Sequence, residues 1–110
     1  MRKFKFRAWD KVYKHFHEGD LLRDYVLGDF VDNPEYEVTQ YTGLVDKNGK
    51  EIYEGDIYSA VSVSGLVGIV LYKKGRVVIL SEDGNDYPIT LYRGQVIGNI
   101  YENPELLEVK

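Results

Sequence analysis

The 110-residue sequence contains no cysteine. Disulfides, thiolate metal sites and cysteine nucleophiles are therefore excluded. Histidine is scarce, with two copies, His15 and His17, so a serine triad would have to recruit one of them. No Gly-x-Ser-x-Gly elbow accompanies them. Glycine-rich segments with phosphate-loop or dinucleotide spacing are also missing. No apolar run approaches the ~18 residues of a membrane span. Residues 1–5 are basic, but no apolar stretch follows, so the start does not read as a signal peptide. Only three prolines interrupt the chain, and no low-complexity segment or internal repeat is present.

What is there is apolar and aromatic. Hydrophobic residues make up 44% of the chain, with ten tyrosines, four phenylalanines and one tryptophan. That composition belongs to a folded protein and excludes disorder. The length suits one domain of about 100–150 residues. Net charge is −4, but it is unevenly spread. Residues 1–17 carry six basic side chains and one acidic one, Asp10; the remainder carries eight basic and 17 acidic. Such asymmetry marks a candidate interacting arm.

Residue spacing predicts mostly strands. Phe4, Phe6 and Ala8 alternate with Lys3, Lys5 and Arg7, the period of a half-buried strand with cations facing outward. Asp10-Lys11 reads as a turn into a second strand over 12–17. Leu21, Leu22, Tyr25 and Val26 have helical spacing, with Asp20 and Gly28 as the end signals. A strand over 36–44 leads to Asn48-Gly49, a strong hairpin signal. Pairing Lys47 with Lys50 would place Val45 opposite Ile52. The same turn fails as a calcium loop, because its sixth and twelfth positions are Glu51 and Ile57.

From Asp56 onward the pattern is a meander, with strands over 57–63, 66–73, 76–81, 87–92 and 95–101. Close turns containing Gly65, Gly75 and Gly94 point to a small barrel or sandwich. The strands over 57–63 and 66–73 are apolar on both faces, which requires cover on both. Val67, Ile69 and Leu71 would lie outside a barrel interior. Either the N-terminal strand covers them, through Phe4 and Phe6, or a second copy does. The expectation is a homo-oligomer.

Three stretches together resemble the YopX family of phage and prophage proteins. They are Phe6-Arg7-Ala8-Trp9-Asp10, the run from Gln40-Tyr41-Thr42-Gly43-Leu44 through Asp46 to Ile57, and Ile97-Gly98-Asn99-Ile100-Tyr101-Glu102-Asn103-Pro104-Glu105-Leu106. The resemblance implies a phage or prophage origin. It also implies a mainly β fold with a small SH3-like barrel over about residues 54–102, preceded by an N-terminal hairpin and a short helix or irregular segment. The chain is accordingly divided into 1–53 and 54–110 within one domain. The family supplies no established activity and no catalytic residue. Within its motif, Asp56 follows Gly55 directly before an apolar strand, where a carboxylate can hold a backbone N–H of the preceding loop.

Two functional readings follow. The first is a non-enzymatic protein-interaction or assembly module in the bacterial cytosol, with phage or host proteins as partners and no cofactor. The second is a single-stranded nucleic-acid binder using Arg2, Lys3, Lys5, Arg7, Trp9, Lys11 and Tyr13, since cations interleaved with aromatics suit phosphates and bases. Its weakness is an isoelectric point near 5.1. His15 and His17 share one face of a strand with Glu18 and Asp20 nearby, but no third and fourth metal ligand is indicated, so no metal site is expected.

Overall fold

The structure is a computed structural model and describes residues 6–17, 33–60 and 66–107. The helix expected near Leu21–Val26, the strand positions Val61 and Val63 and the turn at Gly65 lie outside the described residues. Two compact units divide the chain, Met1–Tyr41 and Thr42–Lys110. The strands form two antiparallel sheets, one of four strands and one of five, and the second is a half-barrel. The chain is mainly β, with two short 3-10 turns as the helical elements among the described residues.

In the N-terminal unit, β1 (Phe6–Asp10) pairs with β2 (His15–His17) and with the first half of β3 (Tyr36–Val45). The β1–β2 turn differs from the two-residue turn expected at Asp10-Lys11. Asp10 is still in the strand, opposite His15, and the loop holds four residues. Asp10 itself builds that loop. Its Oδ1 accepts the Val12 and Tyr13 N–H groups, each at 2.9 Å, and its carbonyl accepts the Lys14 N–H at 2.8 Å. Lys14 closes the reversal with φ +60°. A side chain that satisfies backbone donors locally competes with continued pairing, so β2 is cut to three residues.

Opposed residues in an antiparallel pair share a face. Phe6, Ala8 and Asp10 therefore stand with His15, His17, Tyr36 and Val38 on one face. Ala8 is fully buried there, packed by Phe6, Tyr36 and Val38. Arg7, Trp9 and Phe16 occupy the other face. The expected outward cation is instead buried: Arg7 is 7% exposed. Its guanidinium lies 4.4 Å from the Phe16 ring centroid, and its Nε donates to Thr39 Oγ1. The cation–π contact contributes about 0.5–2 kcal/mol and, with the Thr39 hydrogen bond, offsets part of the cost of burying the charge.

In the C-terminal unit the second half of β3 pairs with β4 (Glu51–Tyr53). Gly49 takes φ +83°, as the hairpin reading requires, but the closing pair is Asp46–Lys50 rather than Lys47–Lys50. Gly49 N–H donates to Asp46 O and Asp46 N–H to Lys50 O, so the loop is one residue longer than a two-residue turn. The cause is Asp46. Its Oδ1 accepts Asn48 N–H at 2.8 Å and Lys50 N–H at 2.9 Å. Its Oδ2 accepts Val96 N–H at 2.9 Å, and Lys47 N–H donates to Gly94 O. The hairpin is thereby tied to β9 (Gly94–Asn99), and Tyr72 OH donates to Thr42 O. These ties hold residues 42–53 to the strands of the C-terminal unit, which begins at Thr42.

The meander β5 (Asp56–Ala60), β6 (Val67–Lys73), β7 (Arg76–Ser81) and β8 (Asp86–Pro88) follows. Lys73 opposite Arg76 closes a two-residue turn on Lys74-Gly75, both with positive φ. The core gathers Ile52, Tyr58, Ala60, Leu66, Val70, Ile79 and Ile89. Ile57, on the opposite face of β5 from Tyr58, is also fully buried, so β5 is covered on both sides. Asp56 is buried at its start and accepts Tyr53 N–H at 2.8 Å, the role expected of a carboxylate in that position.

A continuous strand over 87–92 is not formed. β8 ends at Pro88, and Ile89–Leu91 make a 3-10 turn. Pro88 has no N–H to give to a ladder and sits on the edge strand. Ile89, 5% exposed, is drawn into the core, while Leu91 is left outside at 72%. At the chain's far end Asn99 is buried, accepts the Tyr101 and Glu102 N–H groups and donates to Glu102 Oε1. A 3-10 turn over Pro104–Leu107 follows.

Candidate functional site

The N-terminal residues offered for nucleic acid divide into three groups. Arg2, Lys3 and Lys5 lie outside the described residues. Arg7 and Trp9 are buried, and the Trp9 ring meets Phe16 edge-on at 4.9 Å. Lys11 and Tyr13 are on the surface: Lys11 pairs with Glu37 at 3.2 Å, and Tyr13 is 76% exposed. The structure thus does not assemble one open face of cations and aromatics from the described members of this set.

It assembles something else there. Asp10 Oδ2 lies 3.2 Å from His17 Nε2 and 4.0 Å from His15 Nε2. One ligand-type atom from each of the three residues falls within 4.8 Å of the others. The sequence reading missed Asp10 because it placed that residue in the turn. Lengthening the loop to four residues puts Asp10 on the same face as both histidines. The Tyr13 amide holds the Asp10 carboxyl below the usual carboxylate range; burial opposes this, and His17, the Val12 amide and the His15 charge support it. Glu18 and Asp20 lie outside the described residues.

In the C-terminal unit, Val67, Ile69 and Leu71 alternate with buried Gly68 and Val70 along β6. All three are half-buried.

The same unit carries a groove of about 550 Å³. Its floor is Ile52, Tyr58 and Ile89, and its walls are the 44–47 segment on one side and residues 90–93 on the other. The 3-10 turn creates it, because a strand through 87–92 would have placed Leu91 in a ladder. Val45 is 55% exposed at its edge and Leu91 is 72% exposed. Tyr58 OH donates to Tyr92 O at 2.8 Å, and burial holds this phenol above its ordinary pKa, so it stays a neutral donor. Asp46 also lines the groove, but its oxygens are engaged by the turn's own amides and by Val96. The charges on the groove's open side are those of Lys47 and Arg93, both exposed. No sequence pattern marked these residues, since the groove depends on where β8 stops.

The family model for YopX protein matches residues 23–108. Among solved structures, protein EF1440 from Enterococcus faecalis is 30% identical, with a TM-score of 0.66 over 98% of this chain and 100% of that one. YopX from Bacillus subtilis is 18% identical, with a TM-score of 0.63 over 100% of this chain and 99% of that one, and supports the fold alone. No curated protein matches. The three motif stretches, the family match and the fold agree: the chain belongs to the YopX protein family.

Proposed function

We propose that this protein is a phage- or prophage-encoded, non-enzymatic interaction module acting in the bacterial cytosol. Its C-terminal unit is read as an SH3-like barrel. The support is the antiparallel order β8-β7-β6-β5-β9 with a 3-10 turn before the last strand. The observation that carries the function is the groove beside that turn. Val45 and Leu91 expose large apolar area on either side of it, with Lys47 and Arg93 alongside. Apolar side chains held open by a rigid fold, rimmed by one sign of charge, fit an extended segment of a partner protein carrying apolar and acidic side chains.

A labelled peptide of alternating Leu and Glu is the probe. Fluorescence anisotropy should show saturable binding that weakens about tenfold or more in Leu91→Asp and in Arg93→Glu. Equal binding of a Leu/Lys peptide, or binding indifferent to both substitutions, contradicts the reading.

Self-association is part of the same proposal. Val67, Ile69 and Leu71 present three half-open apolar side chains on one face of β6, and a two-fold contact needs only one such patch. Light scattering at micromolar concentration should give a multiple of 12.7 kDa, lowered by Ile69→Lys. A single-chain mass for the unaltered protein removes this part of the proposal.

A further inference from the structure

We propose that Asp10, His15 and His17 bind a divalent transition metal ion, with Zn²⁺ the best match. Two imidazole nitrogens and one carboxylate oxygen form a donor set that suits zinc and other late transition metals better than calcium or magnesium. The distances are close to what one ion needs. Bonds of about 2.0–2.1 Å in a tetrahedron put neighbouring ligand atoms about 3.3 Å apart. Asp10 Oδ2 and His17 Nε2 are at 3.2 Å. Asp10 Oδ2 and His15 Nε2 are at 4.0 Å, and the His15 side chain, 52% exposed, has room to close the difference.

The surroundings prepare Asp10 and His15, while His17 Nε2, which donates to Asp10 Oδ2 at 3.2 Å, must give up that proton when the ion binds. His15 Nδ1 sits 3.4 Å from Phe16 O, and a carbonyl can only accept, so the proton belongs on Nδ1 and the lone pair on Nε2. Asp10 is fixed by the two amides on its Oδ1, which leaves Oδ2 directed at the histidines. The Tyr36 ring stands edge-on to His17 at 5.6 Å and limits its rotation. His17 and Asp10 are only 17% and 5% exposed at their side chains, so these two ligands are already partly desolvated. Arg7 is on the opposite face of the sheet. Three protein ligands leave a position for water or an outside donor.

The test uses the full chain, stripped of metal with a chelator, and Zn²⁺ alone in competition with a chromophoric chelator. One ion should bind per chain, with affinity reduced about ten- to a hundredfold in His15→Ala, in His17→Ala and in Asp10→Asn. The asparagine variant keeps an oxygen for the Val12 and Tyr13 amides, and His15 lies on the surface, so neither should unfold the unit. Co²⁺ gives a second readout: four-coordinate binding at the site should intensify and red-shift its visible d–d bands relative to the aqua ion, and the change should be lost with both histidines replaced. Absence of saturable binding at hundred-micromolar Zn²⁺ overturns the proposal. So does one-to-one binding that survives replacement of both histidines.

Discussion

Asp46→Ala should cost about 3 kcal/mol of stability, measured by urea unfolding. The carboxylate accepts three backbone N–H groups, from Asn48, Lys50 and Val96, while only 7% exposed. Hydrogen bonds to a charged group contribute roughly 1.5–3 kcal/mol each, reduced where water can replace the lost partner. The turn amides are on the surface and recover part of the loss; the tie to β9 at Val96 does not. Asp46→Asn should fall between, since one oxygen remains but the charge and the second acceptor go. A pH dependence follows. Burial works to raise the Asp46 pKa, but the Val96, Lys50 and Asn48 amides and the Lys50 charge outweigh it and hold the carboxyl below the usual range. A folded-state value below the unfolded one means the stabilisation is complete above the unfolded pKa of about 4 and is lost as pH falls through the folded value. The acid limb of a stability–pH curve should be shallower in Asp46→Asn. An unchanged limb would show that the carboxylate is not held in this way.

Gly94→Val should be at least as damaging. Gly94 opposes Ala60 in the β5–β9 pair, the contact that brings the last strand back beside the first of the meander. A Cβ at Gly94 would overlap the Ser59 carbonyl oxygen and sit 2.8 Å from Ala60 Cα, both backbone atoms. Neither can move aside as a flexible side chain would, so β9 must separate from β5. Overpacking of this kind costs about 3 kcal/mol when the neighbours are rigid. Gly49 is the contrast within the same unit. It has φ +83°, but a methyl group there would meet nothing within 4 Å, so Gly49→Ala should cost only about 1 kcal/mol. Thermal unfolding of both variants orders the two effects, and a Gly94→Val protein as stable as Gly49→Ala would contradict the close β5–β9 approach.

Much of the strand pattern was legible because period-two alternation and glycine turns are local signals. Lys74-Gly75 is the clear case: two positive-φ residues close β6 onto β7 where the sequence placed the turn. The carboxylates were harder. Asp56 was readable, since its partner Tyr53 is three residues away. Asp46 was not, because one of its partners, Val96, is fifty residues distant. Asp10 shows how one turn decides a site. Moving it from the loop into the strand shortens β2 and brings it beside His15 and His17. Arg7 departs from the outward position that alternation predicts for a tertiary reason: alternation gives a side chain its face, but Phe16 and Thr39 from two neighbouring strands make that face an interior. The groove was invisible because Pro88 ends a strand that β-propensity alone would extend to Tyr92.

Amide chemical-shift mapping of the ¹⁵N-labelled protein during titration with the Leu/Glu peptide shows directly whether the groove docks a partner segment. Docking in the groove predicts shifts concentrated at Val45, Lys47, Thr90, Leu91 and Arg93, saturating with one peptide per chain and lost in Leu91→Asp. Saturating shifts centred on any other surface, or none at millimolar peptide, would contradict it.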